Sequence, residues 1–193
     1  MHDMQAARGA SLSDADTGPE SDVSRRGGRP WLVFGAVSLG LLAIDQATKA
    51  WAVASLVPEE PRELVGSMVQ LTLIRNPGAA FSTGTGHTWI FTTLSIAASV
   101  AVVWVMRRTR GTAWSVAFGV LLAGIVGNLI DRLVRPPGFY RGHVVDFVQL
   151  PHWPIFNVAD MCINVAAVLI VVLSFLGVRL DGSRSSGDTE DAQ

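Results

Sequence analysis

Four apolar stretches, at about residues 31–53, 88–106, 112–133 and 158–178, constrain this chain more than any other feature. Each approaches the roughly 20 residues that an α-helix needs to cross a bilayer. A soluble core with four such runs in 193 residues is the weaker reading. The expectation is an all-α membrane protein of four transmembrane helices, with a small β-containing region in its extracytoplasmic loops.

Arginine placement orients the helices. Arg25, Arg26 and Arg29 precede the first span, Arg107, Arg108 and Arg110 fill the turn between the second and third, and Arg179 and Arg184 follow the fourth. With four crossings these lie on one side, which the positive-inside rule makes cytoplasmic. Both termini are then cytoplasmic, and loops 54–87 and 134–157 face outward. The tryptophans track the same map: Trp31, Trp104 and Trp114 at inner span ends, Trp51, Trp89 and Trp153 at or beside outer ones. A cleaved leader is the rival reading of the first span, since Arg25-Arg26 precede it and Ala52-Val53-Ala54 resembles a cleavage site. Asp45 and Lys49 interrupt the run before that site, which disfavours cleavage.

The tails read differently. Residues 1–30 and 179–193 are rich in Gly, Ser, Asp and Arg and poor in apolar side chains, too poor to offset ordering entropy. They are expected to be disordered cytoplasmic tails flanking one membrane domain at 31–178. The net charge of −1 gives no reason to expect nucleic acid as a partner. The single Cys162 excludes an internal disulfide and a cysteine-rich metal site.

The outer loops carry pattern. In Ser67–Arg75, Val69, Leu71 and Leu73 alternate with Gln70 and Thr72, which predicts a half-buried strand. Asn76-Pro77-Gly78 then predicts a turn. In the second outer loop Val144-Val145-Asp146-Phe147 sets one acid among apolar residues, and Asn157 is a plausible N-cap for the fourth span.

Four aspartates, Asp45, Asp131, Asp146 and Asp160, lie in or beside these apolar parts. A charged side chain at a helix centre costs about 2.5–3.5 kcal/mol on insertion scales, so such groups mark function or specific pairing. Topology collects all four near the outer leaflet. Asp45 and Lys49, the only lysine, are four apart with the acid first, the favourable order for a helical ion pair. Asn128, Asp131 and Arg132 share part of a helix face, and Gly124 and Gly127 offer close packing. Asp45, Lys49 and Asp131 are therefore expected to be structural. Asp146 and Asp160 lack a cation within a helical turn in sequence. Two carboxylates brought together cannot easily both ionise, so one can act as base on water while the other donates to a carbonyl. N-capping or solvent-facing roles remain open for them. A metal held by His143, Asp146, His152 and Asp160 is a competing chemistry with little pattern behind it, and no Gly-x-Ser-x-Gly elbow occurs.

Five short motifs add a resemblance: Asp45-Gln46-Ala47-Thr48-Lys49, Asn76-Pro77-Gly78-Ala79-Ala80-Phe81-Ser82, Gly127-Asn128-Leu129-Ile130-Asp131-Arg132-Leu133, Val144-Val145-Asp146-Phe147 and Phe156-Asn157-Val158-Ala159-Asp160. In this order, over residues 31–178, the chain resembles the lipoprotein signal peptidase family, also called signal peptidase II. The resemblance implies a bacterial inner-membrane aspartic endopeptidase that removes signal peptides from diacylglyceryl-modified prolipoproteins. It implies Asp146 and Asp160 as the catalytic pair, with Asn76, Asn128, Arg132 and Asn157 around substrate and dyad. It further implies membrane lipid as a partner, globomycin as an inhibitor, and no metal or organic cofactor. The stretch Leu133–Val145 looks longer than in compact members of the family. The alternative from another class is a non-enzymatic lipid-binding or proton-coupled transport component using the aspartates as a relay. An inert membrane scaffold is a third.

Overall fold

A computed structural model describes residues 21–78 and 87–183. The tail segments 1–20 and 184–193, and the Ala79–Ser82 half of the second motif, lie outside the described residues. The elements run α1 (Ser21–Ser55), β1 (Arg62–Val65), β2 (Val69–Asn76), α2 (Thr88–Met106), α3 (Thr112–Val134), β3 (Val144–Gln149) and α4 (Val158–Phe175). Four helical segments are long and apolar enough to span a membrane: Arg29–Ser55, Thr88–Met106, Thr112–Val134 and Val158–Phe175. They match the four spans expected from sequence, and the protein is a multi-pass membrane protein.

The third helix is the axis. It packs against α1, α2 and α4, and most of its span is buried, whereas the other three turn most of theirs outward. Gly124 and Gly127 let this happen. A Cβ at position 124 would lie 2.5 Å from the Ala159 carbonyl oxygen, and one at 127 would lie 2.6 Å from an Asp45 carboxylate oxygen. Small residues at membrane helix contacts allow this backbone approach. An apolar cluster of Phe34, Val102, Met106, Trp114 and Phe118 closes the bundle at the arginine-rich end.

At the opposite end the strands form one antiparallel sheet in the order β1-β2-β3. The expected strand in Ser67–Arg75 is β2, ending one residue later at Asn76. Its partner β3 pairs Ile74 with Asp146 and Asn76 with Val144. Sequence periodicity does not reveal β3, because Val144–Phe147 are buried on both faces and so do not alternate. The four-residue β1 has no buried face at all and leaves no pattern to read.

Two boundaries differ from expectation. The first helix begins at Ser21, inside the region assigned to a tail (1–30), and runs through Pro30. At the other terminus residues 179–183 fold back on the α2–α3 turn, where the amides of Arg110 and Gly111 both donate to the Leu180 carbonyl. Trp114 follows from this: it donates to the Val178 carbonyl, stacks on Phe118 and is buried, so it belongs to the core and not to the interfacial belt. The other five tryptophans are exposed at span ends as expected. Asp131, expected to be structural, pairs across helices with Lys49 and one turn on with Arg135.

The packing at Gly124 gives a test. Gly124→Val should push α4 off α3 and lower stability by about 1–3 kcal/mol, read as a lower midpoint of thermal unfolding in detergent. Gly40→Ala, where a Cβ meets no atom within 4 Å, should not lower that midpoint, since Ala favours a helix interior over Gly.

Candidate active site

The site is built outward from Lys49. Its ammonium, fully buried, donates to Asp45 at 3.0 Å, to Asp131 at 2.9 Å and to the Asn128 side-chain carbonyl at 2.9 Å. An ammonium has three donors, and each has an acceptor here. Each acceptor ties in another element. The second Asp45 oxygen accepts the Ala159 amide at 2.9 Å, at the start of α4. Asp131 accepts the Val145 amide of β3 and the Arg135 guanidinium. Gln46 joins Asp45 to the Gly127 carbonyl. One cation thus joins α1, α3, α4 and β3.

The network reaches the other two aspartates through two asparagines. The Asn128 amide nitrogen donates to Asp160 at 2.8 Å. The Asn157 amide nitrogen donates to Asp146 at 2.6 Å and to the Asn128 carbonyl at 3.1 Å. Asn157 is also the N-cap of α4: its carbonyl accepts the Asp160 amide, and its own backbone N–H donates to the Asp160 carboxylate, a reciprocal capping box. Asn76, at the end of β2, donates to the second Asp146 oxygen at 2.9 Å. Every oxygen of the two carboxylates therefore receives one N–H donor, and Asn157 touches both groups. No buried side-chain nitrogen or oxygen among the described residues lacks a partner.

The local sequence explains these positions. Asp146 sits mid-strand in β3, held by pairing to β2. Asp160 is in the first turn of α4, where the cap fixes its direction. Both open on a cavity of about 690 Å³ between α2, α3 and α4, with Arg132, Asn76 and Asn128 beside them. Below that polar layer the wall is mostly apolar, including Phe91, Leu94, Ala98, Ile125 and Ile163. The Arg132 guanidinium lies 6.0 Å from the Phe91 ring centroid.

All nine residues singled out from sequence fall in this assembly: Asp45, Lys49 and Asp131 form the buried ionic centre, Asn128 and Asn157 the bridge, and Asp146, Asp160, Asn76 and Arg132 the cavity layer. His152 lines the cavity, whereas His143 does not, and among the described residues no group of three or more His, Cys, Asp or Glu converges as a metal site. Arg135 was missed, although its spacing of four from Asp131 is a readable signal. The α2 wall carries no sequence signal, since its partners are on other helices.

Burial above all, and then the charge of Asp160, push the Asp146 carboxyl up to about 7, against hydrogen bonds from Asn76 and Asn157 and the charge of Lys49. This is the pattern expected where two acids share one site.

Comparison with known proteins agrees with the geometry. A profile of signal peptidase (SPase) II matches residues 37–176. The chain belongs to the signal peptidase II family. It is similar to a lipoprotein signal peptidase of Rhodococcus jostii, 47% identical over 144 residues covering 75% of this chain and 73% of that protein. It is also similar to those of Mycobacterium avium (44% identical; 79% and 85% covered) and Mycobacterium tuberculosis strain H37Rv (43%; 76% and 72%). Two solved structures described as bacterial membrane enzymes share the fold. One superposes with a TM-score of 0.70 at 24% identity, covering 86% of this chain and 95% of its own. The other superposes at 0.65 with 27% identity, covering 76% and 92%.

Two outcomes follow from this geometry. Lys49→Met leaves Asp45 and Asp131 buried without their shared cation and should cost about 3–5 kcal/mol, read as loss of folded protein in detergent. The raised Asp146 value means that the folded protein holds a proton the unfolded chain has released above about pH 4. Its stabilising contribution is complete below that pH and is lost as pH rises through about 7. Unfolding midpoints measured across this range should decline in the unaltered protein and decline less in Asp146→Asn.

Proposed function

We propose that this chain is a membrane aspartic endopeptidase that removes signal peptides from diacylglyceryl-modified prolipoproteins. The observation that carries the reading is the convergence of Asp146 and Asp160 at one cavity, bridged by Asn157, polar at the dyad and apolar beneath it. In the proposed reaction the dyad holds one proton. The ionised carboxylate takes a proton from water as the water oxygen attacks the scissile carbonyl, and the protonated one gives its proton to the carbonyl oxygen. Collapse of the tetrahedral adduct breaks the C–N bond, sends a proton to the leaving amine and restores the singly protonated pair. The high Asp146 value supports a proton being present on the pair up to neutral pH.

The membrane supplies the reason for such a site. Pulling a lipidated substrate into water costs about 0.8 kcal/mol per CH₂, so the protease works where the acyl chains already are. The cavity has α3 as its back wall and α2 and α4 as its sides. In the proposed topology both termini are cytoplasmic in the bacterial inner membrane, and the dyad sits at outer-leaflet depth. Arg107, Arg108, Arg110 and Arg179 at the end opposite the dyad support that orientation. The β2–β3 sheet lies over the cavity end, placed to hold a substrate backbone extended.

Asp146→Asn and Asp160→Asn should each reduce cleavage of a lipidated prolipoprotein by the purified protein at least about 1,000-fold while membrane insertion persists. Cleavage by the unaltered protein should be blocked by globomycin and resist chelators. Turnover by either variant near the unaltered rate would overturn the dyad. Aspartate-dependent flux across sealed vesicles without peptide cleavage would favour the transport reading.

A further inference from the structure

The mechanism leaves several polar side chains of the cavity unused, His152 among them, and two of these lie along its apolar helical walls. Those two are Ser95 on α2 and Asn164 on α4. Asn164 is one helical turn beyond Asp160, about 6 Å deeper along α4. Ser95 is one turn deeper along α2 than Phe91, which packs near Arg132. Both therefore sit just below the polar layer, among Leu94, Ala98, Ile125 and Ile163, where the wall is otherwise apolar.

Their hydrogen bonding sets them apart. In a helix facing lipid, a hydroxyl normally donates back to a carbonyl in the preceding turn. Thr92, Thr93 and Ser99 of α2 do so, and Thr88 donates to the Pro77 carbonyl. The Ser95 hydroxyl alone among the five in α2 has no partner among the described residues. Asn164 uses one N–H on the Asp160 carbonyl at 3.0 Å. Its second N–H has no partner among the described residues, and the side chain is exposed. Two helices thus present one spare donor each to the same cavity, each about one turn below the polar layer.

Resting on the proposed function, we propose that Ser95 and Asn164 are specificity residues that donate hydrogen bonds to the ester carbonyls of the substrate's diacylglyceryl group. The chemistry fits the donors: a glyceryl diester offers acceptors only. The depth fits as well. The glyceryl group hangs from the cysteine sulfur next to the scissile bond, so its esters reach somewhat below the dyad while the acyl chains continue down the apolar wall. Ser95 and Asn164 act as binding groups and take no part in the proton transfers.

The test uses the purified full chain and two synthetic prolipoprotein peptides, one with a diacyl (ester) glyceryl group and one with the dialkyl (ether) group of equal chain length, which lacks the carbonyls. The unaltered protein should show a KM for the ester peptide about three- to ten-fold below that for the ether peptide, the scale of one or two hydrogen bonds. Ser95→Ala and Asn164→Leu should each raise KM for the ester peptide several-fold, with the loss on KM rather than kcat, and should not change KM for the ether peptide. Equal effects on both peptides, or none on the ester, would overturn the inference. Ser95→Ala removes a single oxygen, so it decides the matter if Asn164→Leu fails to insert. Cleavage of both peptides at equal KM by the unaltered protein defeats this inference alone, whereas cleavage of neither defeats the proposed function and this inference with it.

Discussion

The Lys49 ammonium, with an acceptor on each of its three N–H bonds, is the interaction on which the rest of the site depends. It lies where no water can reach it, so its charge has to be met by protein groups. Asp45 and Asp131 meet the charge, and Asn128 takes the third bond. Lys49 and Arg135 together balance the two anions. The carboxylates' remaining lone pairs are used on the Ala159 and Val145 amides and on Arg135. A buried ion pair is weak evidence for stability but strong evidence for a defined arrangement, because each partner left alone is costly. Here the arrangement registers the start of α4 and strand β3 against α1 and α3.

That registration is what brings two carboxylates from different elements together. Asp146 stands on a strand and Asp160 on a helix start. The two asparagines transmit position between them. Asn157 holds both acids, and Asn128 holds Asp160 while being held by Lys49. A dyad supported by amide donors keeps fixed geometry without a cation at hydrogen-bond distance that would hold both acids ionised. Burial, and then the charge of Asp160, outweigh those donors and leave Asp146 with a value near neutrality.

Much of this was legible in the chain. The helical spans could be read because bilayer thickness sets a length that composition must fill, and Thr88–Met106 was bounded to the residue. The Asp45–Lys49 pair could be read because helical geometry places residues four apart on one face. Asn157 could be read as a cap because the signal is local. Strand β3 could not, since a strand buried on both faces has no alternation. Trp114 was misplaced in the belt because the segment that buries it, around Val178, is far away in sequence. The Lys49 partner of Asp131 is likewise distant in sequence, while the adjacent Arg132 faces the cavity, since a helix turns adjacent residues 100° apart.

The sequence by itself determined the membrane class, the four spans, the end of the bundle where acids gather, and the residues able to carry chemistry. These depend on bilayer thickness, the cost of charge in lipid and the helical period, all of which act locally along the chain. Only the tertiary structure decided that Lys49 serves two aspartates, that Asn157 bridges the dyad, and that a cavity polar at one end and apolar below opens between α2, α3 and α4. Those facts concern side chains from separate elements, and their meeting is set by close packing at Gly124 and Gly127 and by β-strand register. No local pattern encodes how distant segments meet.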